Sequence, residues 1–175
     1  MMFKISEIFV LLVLAVISDI RTCRIKNIIT MPFALAGILT NLAIGGCNGL
    51  KLSLLGWLVP AVLLFALYAA GMLGAGDIKL LSSIGAIMGF EFAAGCIVYS
   101  FLSGGLIGII AILARKNAAV RLKYLFNYLK ACLLCVKILE YDDFKGRPGS
   151  GRFRFSYAVV PGTLLQLLLT LFGGN

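Results

Sequence analysis

Two carboxylates, Asp19 and Asp77, each stand at the edge of a long apolar run. Facing acids of this kind can do chemistry without a third partner. They share a proton: the ionised one activates a water, and the protonated one polarises a carbonyl. Like charges a few ångströms apart cannot both ionise, so the two pKa values split. That is the chemistry of an aspartic protease. Glycoside hydrolysis also uses two carboxylates, but a sugar site needs polar and aromatic surface that this chain hardly offers. Each acid alone also suits a helix end, and Asp77 suits an N-terminus, where a carboxylate is favoured. Taken together they are the only acids at this depth on one face of the chain.

What is missing narrows the chemistry further. The chain has no histidine, so Ser-His and Cys-His nucleophiles and HExxH zinc sites are excluded. Its cysteines are Cys23, Cys47, Cys96, Cys132 and Cys135. They are odd in number and lie mostly in apolar surroundings, where cysteine behaves as a small hydrophobe. Cys132-x-x-Cys135 has no second pair, so neither a zinc site nor any other metal or cofactor is expected. Gly74 and Gly76 leave the backbone bare just before Asp77, which suits close approach of an extended peptide. The same glycines also suit a turn or small-residue helix packing.

The elements that must position these acids follow from composition. Of 175 residues, 61% are hydrophobic and 13% charged, and the mean hydropathy is +1.05. A soluble domain is nearer 45–50% apolar and about 25% charged, and disorder needs low hydrophobicity. The class is an all-α, polytopic membrane protein, read as one domain over 1–175. Six spans are expected, at about 1–17, 27–44, 52–70, 78–90, 92–114 and 155–172, each near the ~20 residues that cross a bilayer except the short fourth. The first span ends in Ser18-Asp19 with no small-residue cleavage site, so it reads as retained rather than as a signal peptide. No internal repeat is visible.

All of the 16 Lys and Arg except Lys4 and Lys51 fall in 20–26, 71–79 and 115–155. The positive-inside rule places those segments in the cytoplasm and both termini outside. The net charge of +9 therefore reads as topology and contact with anionic lipid, and not as nucleic-acid binding. In 116–139, Lys116, Lys123, Lys130 and Lys137 recur every seven residues among apolar ones. That spacing predicts a helix lying in the membrane interface, with a cytoplasmic helix packed on the protein as the alternative.

Gly74-Ala75-Gly76-Asp77-Ile78-Lys79-Leu80 resembles the GxGDxKL motif of the type IV prepilin peptidases. The run from Asp19 through Arg21 and Arg24 to Asn27 resembles that family's other motif, an acid at the end of a span followed by basic residues and I-P-N. Tyr157 to Leu165 resembles its last span. The resemblance implies a GxGD membrane aspartic endopeptidase, without cofactor, in the cytoplasmic membrane of a prokaryote. Such an enzyme removes basic leaders from pilin-like precursors at the cytoplasmic face, beside pilus assembly machinery. Asp19 and Asp77 match the catalytic pair. Gly74, Gly76, Lys79, Arg24 and Asn27 match motif positions that support the site or the approach of substrate. Lys26 departs from the motif, which has Pro there. The larger members carry a cytoplasmic zinc-binding insert with two CxxC pairs and also N-methylate the new terminus. Span one here runs almost straight into span two, so methyl transfer is not expected. The short form is similar to the peptidases of tight-adherence (Flp-type) pili, with archaeal preflagellin peptidases a near alternative. A small transporter using the same two acids as a proton relay is the alternative from another class.

Overall fold

The computed structural model describes residues 2–22, 24–113 and 155–173, and the side chains of all of these except 111–113. The interfacial stretch expected at 116–139, with Cys132 and Cys135, lies outside the described residues, as does Cys23. Every described element is a helix: α1 (Met2–Thr22), α2 (Asn27–Ala69), α3 (Ala75–Met88), α4 (Phe90–Leu113) and α5 (Ser156–Phe172). The chain forms two compact units, 1–104 with 154–175 and 105–153. The description below concerns the first.

The helices are apolar on their outer surface as well as in the core. On α1, Ile8, Leu11, Leu12, Ala15 and Asp19 are buried at helical spacing, while Phe9, Val10, Val13, Leu14 and Ile17 face outward. Water would disfavour so much exposed apolar surface, whereas lipid accepts it. Among the described residues, two helices are long and apolar enough to cross a membrane, Asn27–Ala69 and Phe90–Ile110, and Ser156–Phe172 is apolar but shorter.

The Gly-rich stretch 45–49, expected as a loop between spans, is narrower than that. Helical bonding continues through it, and the break is a single residue, Gly46, with φ +56° and ψ −141°. Glycine adopts this backbone without the clash a side chain would suffer. The chain doubles back there, which brings Gly49 against the carbonyl of Asn41. The two arms of α2, 27–45 and 47–69, thus form a helical hairpin. Pro32 and Pro60 lie inside them, and membrane helices tolerate such breaks where neighbours satisfy the freed carbonyls.

Helix α3 sits against both arms. Its residues Ile78 and 80–87 are all buried, the mark of a helix apolar all round and enclosed by protein. Close approach depends on small residues. Gly56 and Gly85 meet backbone to backbone, so a Cβ on either would strike the other's carbonyl, and Gly37 backs onto Ile87. The far end of α3 leaves carbonyls that its own helix cannot bond. Asn41 Nδ2 donates to the carbonyls of Ala86 (2.9 Å) and Ile87 (3.0 Å), and Ser53 Oγ donates to Ala86 (2.5 Å). Lys4 Nζ in turn donates to Asn41 Oδ1 (2.6 Å). Gly89, with φ +99°, turns the chain directly into α4. Leu11 and Leu12 of α1, Leu64 of α2, Leu80, Leu81 and Ile84 of α3, Phe92 and Cys96 of α4 and Val159 of α5 close a single core around α3.

Candidate active site

The end of this bundle opposite Asn41 gathers the last turn of α1, residues 24–26 and the first turns of α2, α3 and α5. Asp19 lies near the C-terminus of α1 on its buried face, 7% exposed. Ser156, in the first turn of α5, donates its hydroxyl to Asp19 Oδ2 at 2.5 Å. The loop that follows is tied to the same helix end. Ser18 Oγ and Thr22 Oγ1 both donate to the Arg24 carbonyl, at 3.0 and 2.9 Å, while Arg24 as a residue stays exposed.

Asp77 enters from the other side, in the first turn of α3. Gly74 caps that helix in extended conformation and its carbonyl accepts from the Asp77 N–H at 3.1 Å. The two glycines of the motif do different things. A Cβ on Gly74 would come 3.0 Å from Asp77 Oδ2, so this glycine leaves room beside the carboxylate. A Cβ on Gly76 would come 3.1 Å from Ile25 Cβ and 3.2 Å from its nitrogen, so this one lets the head of α3 seat against the loop after α1. Of the two expectations for Gly76, small-residue packing is the one its surroundings match.

Lys79 and Asn27, both singled out in the sequence, bond to each other: Lys79 Nζ donates to Asn27 Oδ1 at 2.8 Å. One turn on, Ser83 Oγ donates to the Thr30 carbonyl at 2.9 Å. These bonds stitch α3 to the start of α2.

Asp77 precedes the apolar stretch of its helix and lies outside the helices long enough to span a bilayer. Burial pushes its carboxyl up from the ordinary 3.8 to about 6. The charge of Asp19 adds to the rise, and a hydrogen bond to the backbone of Gly74 opposes it. The two acids are therefore close enough for the charge of one to act on the other. Asp19 is bonded by the Ser156 hydroxyl and Asp77 by the backbone of Gly74, so the two carboxyls have different surroundings. Among the described residues, no group of three or more His, Cys, Asp and Glu is placed to hold a metal ion.

Ser156 is the site residue that sequence reasoning missed. It is 137 residues from Asp19, and the only available signal was a hydroxyl at the start of the last apolar run.

The sequence profile of the type IV leader peptidase family matches residues 7–109, a stretch that holds both acids but ends before Ser156. The prepilin leader peptidase/N-methyltransferase of Bacillus subtilis (strain 168) is 33% identical over 111 residues, 62% of this chain and 44% of the relative. The match thus spans less than half the length of that relative. No solved structure matches the chain.

Proposed function

This chain belongs to the type IV leader peptidase family, and from that premise we propose that it is a membrane-embedded aspartic endopeptidase that removes the leader from prepilin-like precursors. The observation that supports this reading is that Asp19 and Asp77 lie at the same end of the bundle, where the charge of Asp19 adds to the rise in the pKa of Asp77.

The roles follow from the surroundings. The Ser156 hydroxyl donates to Asp19, and burial raises the pKa of Asp77. Asp19 is the base: it takes a proton from water as the oxygen attacks the scissile carbonyl. Asp77 is the acid: it gives its proton to the carbonyl oxygen as the tetrahedral intermediate forms. On collapse the C–N bond breaks, the amine leaves with the proton held by Asp19, and the oxygen returns its proton to Asp77. Each acid ends as it began. Lys79 and Asn27 position the head of α3, and Arg24 lies exposed where an incoming peptide would pass.

In this reading six segments cross the membrane: α1, the two arms of α2, the part of α3 that follows Asp77, α4 and α5. The basic segments face the cytoplasm with the dyad, and anionic lipid lies against them. Only residues 23–26 separate α1 from α2, so there is no zinc-binding insert at that position, and leader removal without methyl transfer is the activity proposed. The substrate is a precursor of pilin type, delivered beside its assembly machinery.

The test is leader removal from a co-expressed prepilin, read by gel shift. Wild type cleaves. Asp19→Asn and Asp77→Asn each insert normally and fall below about 1% of the wild-type rate, since losing a general acid or base costs roughly 10²–10⁴-fold. Near-normal cleavage by either variant would remove the dyad assignment. A proton relay or transporter would leave the precursor uncut even with both acids present.

A further inference from the structure

The end of the bundle away from the two acids holds a cavity of about 450 Å³. Lys4 of α1, Met88 at the end of α3, Glu91 and Phe92 at the start of α4, and Gln166 and Thr170 of α5 line it. Two opposite charges thus share one space, yet they do not pair with each other. Lys4 Nζ donates to Asn41 Oδ1, and an ammonium has three donors, so two remain. The side chain of Glu91 makes no hydrogen bond or ion pair among the described residues. The Gln166 amide is underused as well. It lies against Gly95, one turn beyond Glu91 on the same face of α4, and makes only a long contact, 3.5 Å, to Thr170 Oγ1.

In a chain set in lipid, charged groups are costly and are found paired. A cation and an anion that line one cavity without meeting describe a site for a ligand that carries both signs. An ammonium binds phosphate as a point charge, and a carboxylate accepts from N–H donors. The matching chemistry is a phosphate joined to a primary ammonium by a short link. Ile44, which also lines the cavity, is exposed, as are Phe90 next to Glu91 and Phe172 just after Thr170. Acyl chains attached to the phosphate would leave the cavity onto that apolar surface. We propose that the cavity binds the headgroup of a zwitterionic phospholipid with a primary ammonium, its phosphate on Lys4 and its ammonium on Glu91, beside the Gln166 amide. The proposal rests on the membrane reading of the chain and is independent of the peptidase chemistry, since neither acid of the dyad takes part.

The experiment uses the full chain, purified in detergent and given equal amounts of phosphatidylethanolamine and phosphatidylcholine with the same acyl chains. Native mass spectrometry reads the ratio of the two lipids retained. The headgroups share the phosphate, but the quaternary ammonium of choline has no N–H for Glu91. Wild type favours phosphatidylethanolamine by about tenfold or more, the worth of one hydrogen bond to a charged group. Glu91→Ala removes that preference. Lys4→Gln weakens retention of both lipids and leaves the ratio in place; Gln166→Leu does the same and serves if the Lys4 variant does not fold. Asp77→Asn keeps the wild-type ratio, whether or not the chain cleaves a precursor. No preference in wild type, or an unchanged preference in Glu91→Ala, overturns the proposal: Glu91 is then a helix-end acid only. A wild-type preference for phosphatidylglycerol over phosphatidylethanolamine also overturns it, because Lys4 then serves an anion alone. Glycerophosphoethanolamine, the soluble headgroup, displaces the lipid only in large excess. Displacement at equal concentration would assign the cavity to a soluble zwitterion and overturn the lipid occupant.

Discussion

Burial and the charge of Asp19 hold Asp77 in its neutral form up to about pH 6, and this has a consequence for stability as well as for chemistry. The folded-state pKa is raised above the unfolded value near 3.8. The folded protein therefore binds the extra proton between those two values. The stabilising contribution is full below about pH 4 and is lost as pH rises through about 6. Asp77→Asn cannot ionise. We expect it to melt higher than wild type at pH 7.5, with the difference closing as pH falls toward 4, in thermal unfolding followed by intrinsic fluorescence in detergent. A gap of constant size at both pH values would show that Asp77 is not held neutral by its surroundings. The acids themselves were legible in the sequence because a carboxylate at the rim of an apolar run is costly and stands out. Ser156 was not. A serine is unremarkable in any helix turn, and only the packing of α5 on α1 gives its hydroxyl a carboxylate to meet.

At the scale of elements, α3 is where sequence and structure diverge most usefully. Read alone, 78–90 is too short for a comfortable span. In the fold it is a helix of 14 residues enclosed by neighbours, and its far carbonyls are bonded by Asn41 and Ser53. Nothing in the hydropathy of 27–70 shows that one polar residue on each arm points at the end of another helix. The sequence separates two spans at 27–44 and 52–70, but the tightness of the turn between them was not visible, because a single residue with positive φ suffices. Asn41→Leu removes the donor to two buried carbonyls and the acceptor of Lys4. Leaving buried polar groups unpaired costs about 1–3 kcal/mol each. We expect a fall in melting temperature clearly larger than that of Ser53→Ala, with the Asp19–Asp77 end still competent for cleavage. Equal, negligible shifts would mean that these carbonyls find water instead.

For the whole molecule, the basic segments and the two acids share one end in the proposed topology. Reporter tags in 115–155 should read cytoplasm, and a tag after Asn175 should read outside. A cytoplasmic C-terminus would change the span count, with α3 the first segment to reconsider. The membrane class was legible from composition alone, since it depends on totals and not on contacts. The connections at the other end are Gly46 and Gly89, each a single residue of positive φ between helical segments. In the proposed topology this simplifies biogenesis. With such turns there is no hydrophilic loop between residues 27 and 113 to be carried across the bilayer. Only the charges of Lys51 and Glu91 have to make the crossing with them. Helical pairs can then enter lipid as closed hairpins, their backbone bonds already made. The polar work of translocation is left almost wholly to the side on which the ribosome stands.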